Sequence, residues 1–226
     1  MEVLENRPFI SQFPFFAGLS EQDERRLAAL VDYQIKPRFS YIYLPDETSD
    51  CVYFVAKGSV KIGSHSADGR EVIKSLVHPF SMFGEAGLIG ESHRQDFAQA
   101  LKEDVHLYAL RVSDFKQLMR SNYDICERVM NLFGARLLKA ESKLESLIFK
   151  DARTRIVEFI KDAVFQRGRK VGFEMLLKHS LTHQDIANIT CTSRQTVTLV
   201  LNELKKSDLI HFNRGRILVR DISKLQ

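Results

Sequence analysis

The apolar residues Cys126, Met130, Phe133, Leu137, Ala140, Leu144 and Leu147 follow one another at intervals of four, three, four, three, four and three. That spacing keeps them on one face of an α-helix and rules out the two-residue alternation of a strand. Ile125, Val129 and Leu132 form a second apolar stripe beside the first. A helix that is apolar on two sides can touch its own domain with one and a twin helix with the other. Met130, Phe133, Leu137, Ala140, Leu144 and Leu147 are then the expected homodimer seam. The alternative is an ordinary helix buried within one domain, because three heptads are the minimum for a coiled coil.

What precedes this helix has a different period. Phe13-Pro14-Phe15-Phe16 leads into a helix start at Ser20-Glu21-Gln22-Asp23, for which Leu27, Leu30 and Val31 supply the apolar side. From Tyr33 onward, Ile35, Tyr41 to Leu44, Val52 to Val55, Val60 to Ile62, Val72 to Val77 and Val105 to Leu110 are short β-branched or aromatic runs. Turn sequences such as Pro45-Asp46, Lys57-Gly58 and Asp68-Gly69 separate them. Many short strands at near-regular spacing predict an all-β sandwich or barrel that closes near Arg111. Val112-Ser113-Asp114 then opens a helix, and a break near Asn122 to Asp124 precedes the heptad helix.

Beyond Phe149 the chain is joined by Lys150 and Asp151, which can cap a helix carrying Ile156, Val157, Phe159 and Ile160. A basic loop, Gln166 to Lys170, and an apolar run, Val171 to Leu177, lead to the stretch Thr182 to Lys206. Thr182 with Asp185 three residues on reads as a capping box, and Ser193 can cap a second helix. Val197, Val200, Leu201 and Leu204 point inward from that second helix, leaving Arg194, Gln195, Thr198 and Asn202 on the opposite face. Two short helices and a tight turn make a helix-turn-helix, whose second helix enters the DNA major groove with its first turn against base edges. Ile210 to Val219 then reads as a hairpin wing with Arg214 and Arg216 flanking Gly215, suited to a phosphate backbone. Thr182, Gln184, Ser193, Arg194, Gln195, Thr198, Arg214 and Arg216 are therefore the expected DNA-contacting residues.

Charge follows the same division. From Asp151 onward there are 14 Lys/Arg against 8 Asp/Glu, which is +6, so the first 150 residues carry −2 of the total of +4. The basic excess sits with the candidate reader, as an electrostatic footprint for nucleic acid does. No run of 18 apolar residues and no signal peptide is present, so the expected location is cytoplasmic, with no membrane partner. Three scattered cysteines, Cys51, Cys126 and Cys191, argue against a disulfide framework and against a cysteine-ligated metal, and read as small buried hydrophobes. No P-loop, Rossmann, G-x-S-x-G or H-E-x-x-H pattern occurs, so an enzyme is not expected.

The order of Val55-Ala56-Lys57-Gly58-Ser59-Val60, Gly84-Glu85-Ala86-Gly87-Leu88, Phe149-Lys150-Asp151 and Ser193-Arg194-Gln195-Thr196-Val197 resembles the cAMP receptor protein/FNR (Crp/Fnr) family of bacterial transcription regulators. The resemblance covers almost the whole chain. It implies an α+β protein with an N-terminal jelly-roll, cyclic-nucleotide-binding-like domain (1–111), a helical dimerisation segment (112–150) and a C-terminal winged helix-turn-helix (151–226). It also implies a homodimer on a near-palindromic promoter site, with the basic loop Arg167 to Lys170 facing RNA polymerase. Arg194 matches the family's guanine-reading arginine. Gln195 and Leu199 replace base-reading residues of cAMP-binding members, so a half-site other than TGTGA is expected. Cys191 stands where a glycine is common, and a left-handed backbone there strains a residue with a Cβ.

For an effector, the resemblance assigns Glu85 to a ribose hydroxyl and Arg94 to a cyclic phosphate. Gln95 and Asp96 after Arg94, and Ala140 and Glu141 on the long helix, depart from the nucleotide-binding pattern and argue against cAMP. The alternative for Glu85 and Arg94 is a charge pair or turn residues kept by the fold. An iron–sulfur signature is lacking, since the first cysteine is Cys51, and so is a haem signature, since His78, His93 and His106 read as surface or turn histidines; the effector is unnamed, the alternative being a regulator that binds DNA without any small molecule. A reading from another class is a ligand-binding and dimerisation module whose helical tail docks a protein partner. Protein docking would not need Arg194, Arg214 and Arg216 and would not weaken steeply with salt.

Overall fold

The structure, a computed structural model, describes residues 12–213 and 215–225. The chain divides into two units, one comprising residues up to His65 with Lys74–Leu137, the other Ser66–Ile73 with Leu138 onward.

Ahead of the long helix lie strands β1 (Asp32–Lys36), β2 (Tyr41–Tyr43), β3 (Cys51–Lys57), β4 (Val60–His65), β5 (Glu71–Val77), β6 (Met82–Phe83), β7 (Phe97–Ala100) and β8 (Val105–Arg111), all in the first unit except the start of β5. They make two four-stranded sheets in the orders β1-β8-β3-β6 and β2-β7-β4-β5. Pairing β1 with β8 and β2 with β7 brings the two ends of the segment together, which is the jelly-roll plan. Val55, Val60, Ile62, Phe83, Ala98, Val105 and Leu107 fill the interior. Gly58 sits at φ +86° between β3 and β4, where an added Cβ would stand 2.8 Å from the Asp104 carbonyl, so only glycine allows this turn. The expected strands are all present. β6 and β7 are additional, and β7, Phe-Ala-Gln-Ala, has little intrinsic strand preference and is held by its neighbours β2 and β4.

Phe13 and Phe16 are buried against Phe54, whose ring centroid lies 4.9 Å from that of Phe16. Ser20 Oγ accepts from the Asp23 N–H at 3.1 Å and starts helix α1 (Glu21–Leu30). Leu27, Ala28 and Val31 turn inward, whereas Leu30, expected on the same side, faces outward. Helix α2 (Val112–Ser121) ends at Asn122, whose side-chain oxygen accepts from the Ile125 N–H at 3.1 Å at the start of α3 (Tyr123–Phe149). The second apolar stripe of α3 behaves as its spacing predicts, with Ile125 and Val129 buried in the first unit's core. On the other stripe Met130, Leu137, Ala140, Leu144 and Leu147 are exposed, and Leu137 shows 62% of its surface. Phe133, expected on the seam, is instead shared, because it is partly buried against that core.

In the second unit, Asp151 Oδ1 accepts from the Thr154 N–H at 2.8 Å and opens α4 (Ala152–Arg167). That helix buries Ile156, Val157, Ile160, Ala163 and Val164. The expected basic loop is not a loop. Helix α4 runs through Arg167, and Arg169–Val171 is strand β9, paired with β10 (Glu174–Lys178). After α5 (His183–Thr190) and α6 (Arg194–Lys206), β11 (Ile210–Asn213) and β12 (Arg216–Val219) complete a four-stranded sheet in the order β11-β12-β10-β9. The wing is thus the edge of a larger sheet. Its inner face contributes Leu177, Ile217 and Val219 to the core.

Candidate nucleic-acid interface and effector cassette

Both reader helices start where their caps predict. Thr182 Oγ1 accepts from the Asp185 N–H at 3.0 Å while the Asp185 carboxylate accepts from the Thr182 N–H at 2.6 Å, a complete capping box. Ser193 Oγ accepts from the Thr196 N–H at 3.0 Å at the head of α6. Between them Cys191 ends α5 in the left-handed region, at φ 51° and ψ 53°, the conformation expected to strain a residue with a Cβ. Arg155, on α4, holds this turn by donating to the carbonyls of Thr190 at 2.9 Å and Cys191 at 3.2 Å. Sequence reasoning missed that arginine. Nothing local marks it, since its partners lie far along the chain.

Val197, Val200, Leu201 and Leu204 are buried, so α6 is fixed in rotation and Arg194 and Gln195 stand exposed on its first turn. Leu199 and Asn202 continue that exposed face. Thr182 and Ser193 are exposed, with their hydroxyls engaged as caps. Gln184 folds its amide onto Asn188 at 2.8 Å. Thr198 is less free than expected, because its hydroxyl donates to the Arg194 carbonyl at 2.9 Å and also meets His183 Nδ1 at 3.0 Å. Arg216 is exposed at the start of β12, paired in register with Lys178 and Asn213. Arg214 lies outside the described residues. The three cysteines are free thiols and only half-buried, not core residues as expected, and burial pushes the Cys51 thiol up.

In the first unit, Gly84 takes a left-handed backbone and Glu85–Ile89 forms a short 3-10 turn. Glu85 is 7% exposed and ion-paired with Arg136 of α3, which also donates to the Met82 carbonyl at 2.7 Å. Arg94 is 3% exposed and spends its two terminal nitrogens on the carbonyls of Gly84, at 2.8 Å, and Cys51, at 2.5 Å. Its guanidinium carbon lies 4.3 Å from the Tyr43 ring centroid. The charge pair considered for Glu85 and Arg94 is therefore replaced by a pair between Glu85 and Arg136. Burial raises the Tyr53 hydroxyl to about 12 and also raises the Tyr43 hydroxyl. Asp96 is raised by burial too, against the opposing pull of Lys74, whose ammonium is 3.7 Å away.

Glu85 Oε2 and Arg94 Nε are buried without a hydrogen-bond partner among the described residues. The carboxylate oxygen suits a hydroxyl donor, and two of the five Arg94 N–H donors are committed to carbonyls. His78 Nδ1 meets Ser59 at 3.1 Å, His93 meets Ser92 at 3.0 Å, and His106 meets Tyr33. Among the described residues no group of three or more His, Cys, Asp or Glu is placed to hold a metal ion, and no helix is long and apolar enough to cross a membrane.

A jelly roll with a glycine-glutamate turn, a helix with one apolar face exposed, and a winged helix-turn-helix whose second helix presents Arg194 define a DNA-binding transcription regulator. Comparison with known proteins agrees. The cyclic nucleotide-binding domain family matches residues 36–122 and the Crp-like helix-turn-helix domain family matches residues 154–226. The chain is 25% identical over 213 residues to the CRP-like cAMP-activated global transcriptional regulator of Mycobacterium tuberculosis, covering 92% of this chain and 95% of that one. It is 27% identical to the cyclic AMP receptor protein of Thermus thermophilus, covering 94% and 95%. Among solved structures, FixK2 from Bradyrhizobium japonicum shares the fold with a TM-score of 0.77 at 21% identity, covering 86% of this chain and 95% of that one. A CooA mutant from Carboxydothermus hydrogenoformans matches with a TM-score of 0.76 at 25% identity, covering 87% of each. The chain belongs to the Crp/Fnr family of transcription regulators.

Proposed function

We propose that two copies of the protein pair along the exposed face of α3 and set their α6 helices into successive major grooves of a near-palindromic promoter site. The observation that carries this is the two-faced α3, which buries Ile125 and Val129 and leaves Met130, Leu137, Leu144 and Leu147 uncovered. One recognition helix reads only a few base pairs, and two half-sites about one helical turn apart let identical readers add their contacts. In this docking Arg194 reads guanine through its planar fork, Gln195 suits adenine N6 and N7, and Leu199 offers apolar contact to a thymine methyl. Thr182, Gln184, Ser193, Thr198, Arg214 and Arg216 fix the register on the backbone. A protein that acts on promoter DNA in this way works in the cytoplasm and is not an enzyme.

The effector pocket is the cassette around Glu85 and Arg94. Its hydroxyl-accepting end fits a sugar or polyol, and the Asp96 carboxyl beside Arg94 opposes a cyclic phosphate, so the effector differs from cAMP. The signal passes through the Glu85–Arg136 pair, because Arg136 belongs to the helix that forms the seam. The β9–β10 hairpin is the surface offered to RNA polymerase. Phe173 at its turn is 100% exposed beside the basic Arg169 and Lys170.

Binding-site selection with the purified protein, with and without a nucleotide and polyol panel, tests site, symmetry and ligand dependence together. Recovered sites without two-fold symmetry would count against the dimeric docking. A cAMP requirement would overturn the reading of the cassette.

A further inference from the structure

His183 is the first residue of α5, and its ring sits against α6. Its Nδ1 is 3.0 Å from Thr198 Oγ1, and the Phe212 ring of β11 meets the imidazole edge-on with centroids 6.0 Å apart. The Thr198 hydroxyl already gives its one proton to the Arg194 carbonyl, at 2.9 Å. With that proton so placed, Nδ1–H donates to the hydroxyl oxygen. A neutral imidazole has a single N–H, so Nε2 carries a bare lone pair.

When a helix-turn-helix docks, its first helix crosses the sugar-phosphate backbone, and helix N-termini attract phosphates. His183 occupies that end of the first helix. A phosphate oxygen only accepts, so a bare Nε2 opposite it repels, whereas a protonated Nε2–H makes a charge-assisted hydrogen bond. We propose that His183 is a DNA-phosphate contact that takes up a proton on binding, so that the affinity of this regulator for its site rises in mildly acidic medium. The inference rests on α6 entering the major groove as described above.

The charged groups around the ring are Arg194 on α6, the capping Asp185 on α5, and Lys205, whose ammonium lies 5.4 Å from the centroid of the Phe212 ring. Burial, and after it the Arg194 charge, lower the imidazole below the ordinary histidine value of 6.5, so the free protein holds it neutral at neutral pH. A phosphate favours the charged form. The complex then binds more protons than the free protein, and the dissociation constant falls as pH falls through the value His183 has in the complex.

The test is fluorescence anisotropy with a selected duplex at fixed ionic strength, at about pH 7.5 and about pH 5.8, where imidazole titrates and carboxylates do not. Wild type is expected to tighten by roughly threefold to tenfold in acid. His183→Asn should stay at the weaker affinity at both values, and His183→Lys, charged throughout, should bind tightly at both. His211→Asn, on the exposed wing strand, should keep the wild-type response. A wild-type response in His183→Asn overturns the proposal, as does a flat wild type, which would mean that Nε2 accepts from a base amine instead. Failure to bind any duplex at either pH overturns the docking itself. Circular dichroism of each variant confirms that it is folded.

Discussion

Glu85, in the turn after β6, is ion-paired with Arg136, midway along α3. The pair ties the cassette of the jelly roll to the helix whose opposite face is exposed. Glu85 is nearly buried, and burial lowers the Arg136 pKa, so each charge depends on the other for compensation. Removing one partner strands its counterpart. Arg136→Met should lower stability to urea by about 3 kcal/mol, near the lower end for a broken buried pair because Arg136 is partly exposed. Glu85→Gln combined with Arg136→Met should recover most of that loss. An additive double mutant would show that the two side chains do not interact.

Leu137 is exposed on the proposed seam. Leu137→Glu places like charges opposite one another across a two-fold axis, and light scattering should report a monomer. A dimer of undiminished affinity would place the interface on another surface.

Arg194 and Arg216 should fail differently. Loss of a bidentate base contact relaxes specificity, so Arg194→Ala should give up about 1–3 kcal/mol of discrimination at one base pair of each half-site. A phosphate contact carries no sequence information. Arg216→Ala should weaken all sites alike and reduce the slope of log affinity against log salt by about 0.9 for each phosphate no longer neutralised. Competition binding across single-base variants of the site, repeated at several salt concentrations, separates the two behaviours.

At Cys191 the left-handed backbone costs a residue with a Cβ about 1–2 kcal/mol, while glycine loses an extra ~0.5–1 kcal/mol of chain entropy on folding. Cys191→Gly should therefore stabilise the protein by about 0.5–1 kcal/mol in thermal or urea unfolding. Cys191→Val, branched at Cβ, should destabilise it.

Asp96 is raised by burial, so its ionised form is disfavoured in the folded state. The penalty is absent below the unfolded-state pKa and complete above the folded one. Asp96→Asn should then raise stability at neutral pH and leave it unchanged in acid below the usual carboxylate range. A gain that persists there would point to packing instead of charge.

Much of this protein was legible in order along the chain. The strand runs from Ile35 to Leu110, the two stripes of α3, the caps at Ser20, Asp151, Thr182 and Ser193, and the inward face of α6 all depend on residues within one or two turns of each other. Local chemistry suffices for such elements. The strain at Cys191 was legible through the family resemblance, because Cys191 stands where a glycine is common. β7 was not, since Phe97 to Ala100 becomes a strand only through β2 and β4. Nor was the strand at Arg169 to Val171, whose charged residues read as a loop until β10 pairs with them.

The sequence by itself determined the faces of the long helices and most of the strands, because side-chain period and capping are properties of short stretches. It thereby determined that a reader headed by Arg194 exists. Only the tertiary structure decided the partners of the polar groups. It gave Glu85 to Arg136 and not to Arg94, closed Arg94 onto two carbonyls, set Arg155 under the reader turn, and brought the Thr198 hydroxyl between His183 and the Arg194 carbonyl. A hydrogen bond is decided by distance and direction between atoms far apart in the chain, and no pattern along the chain records either.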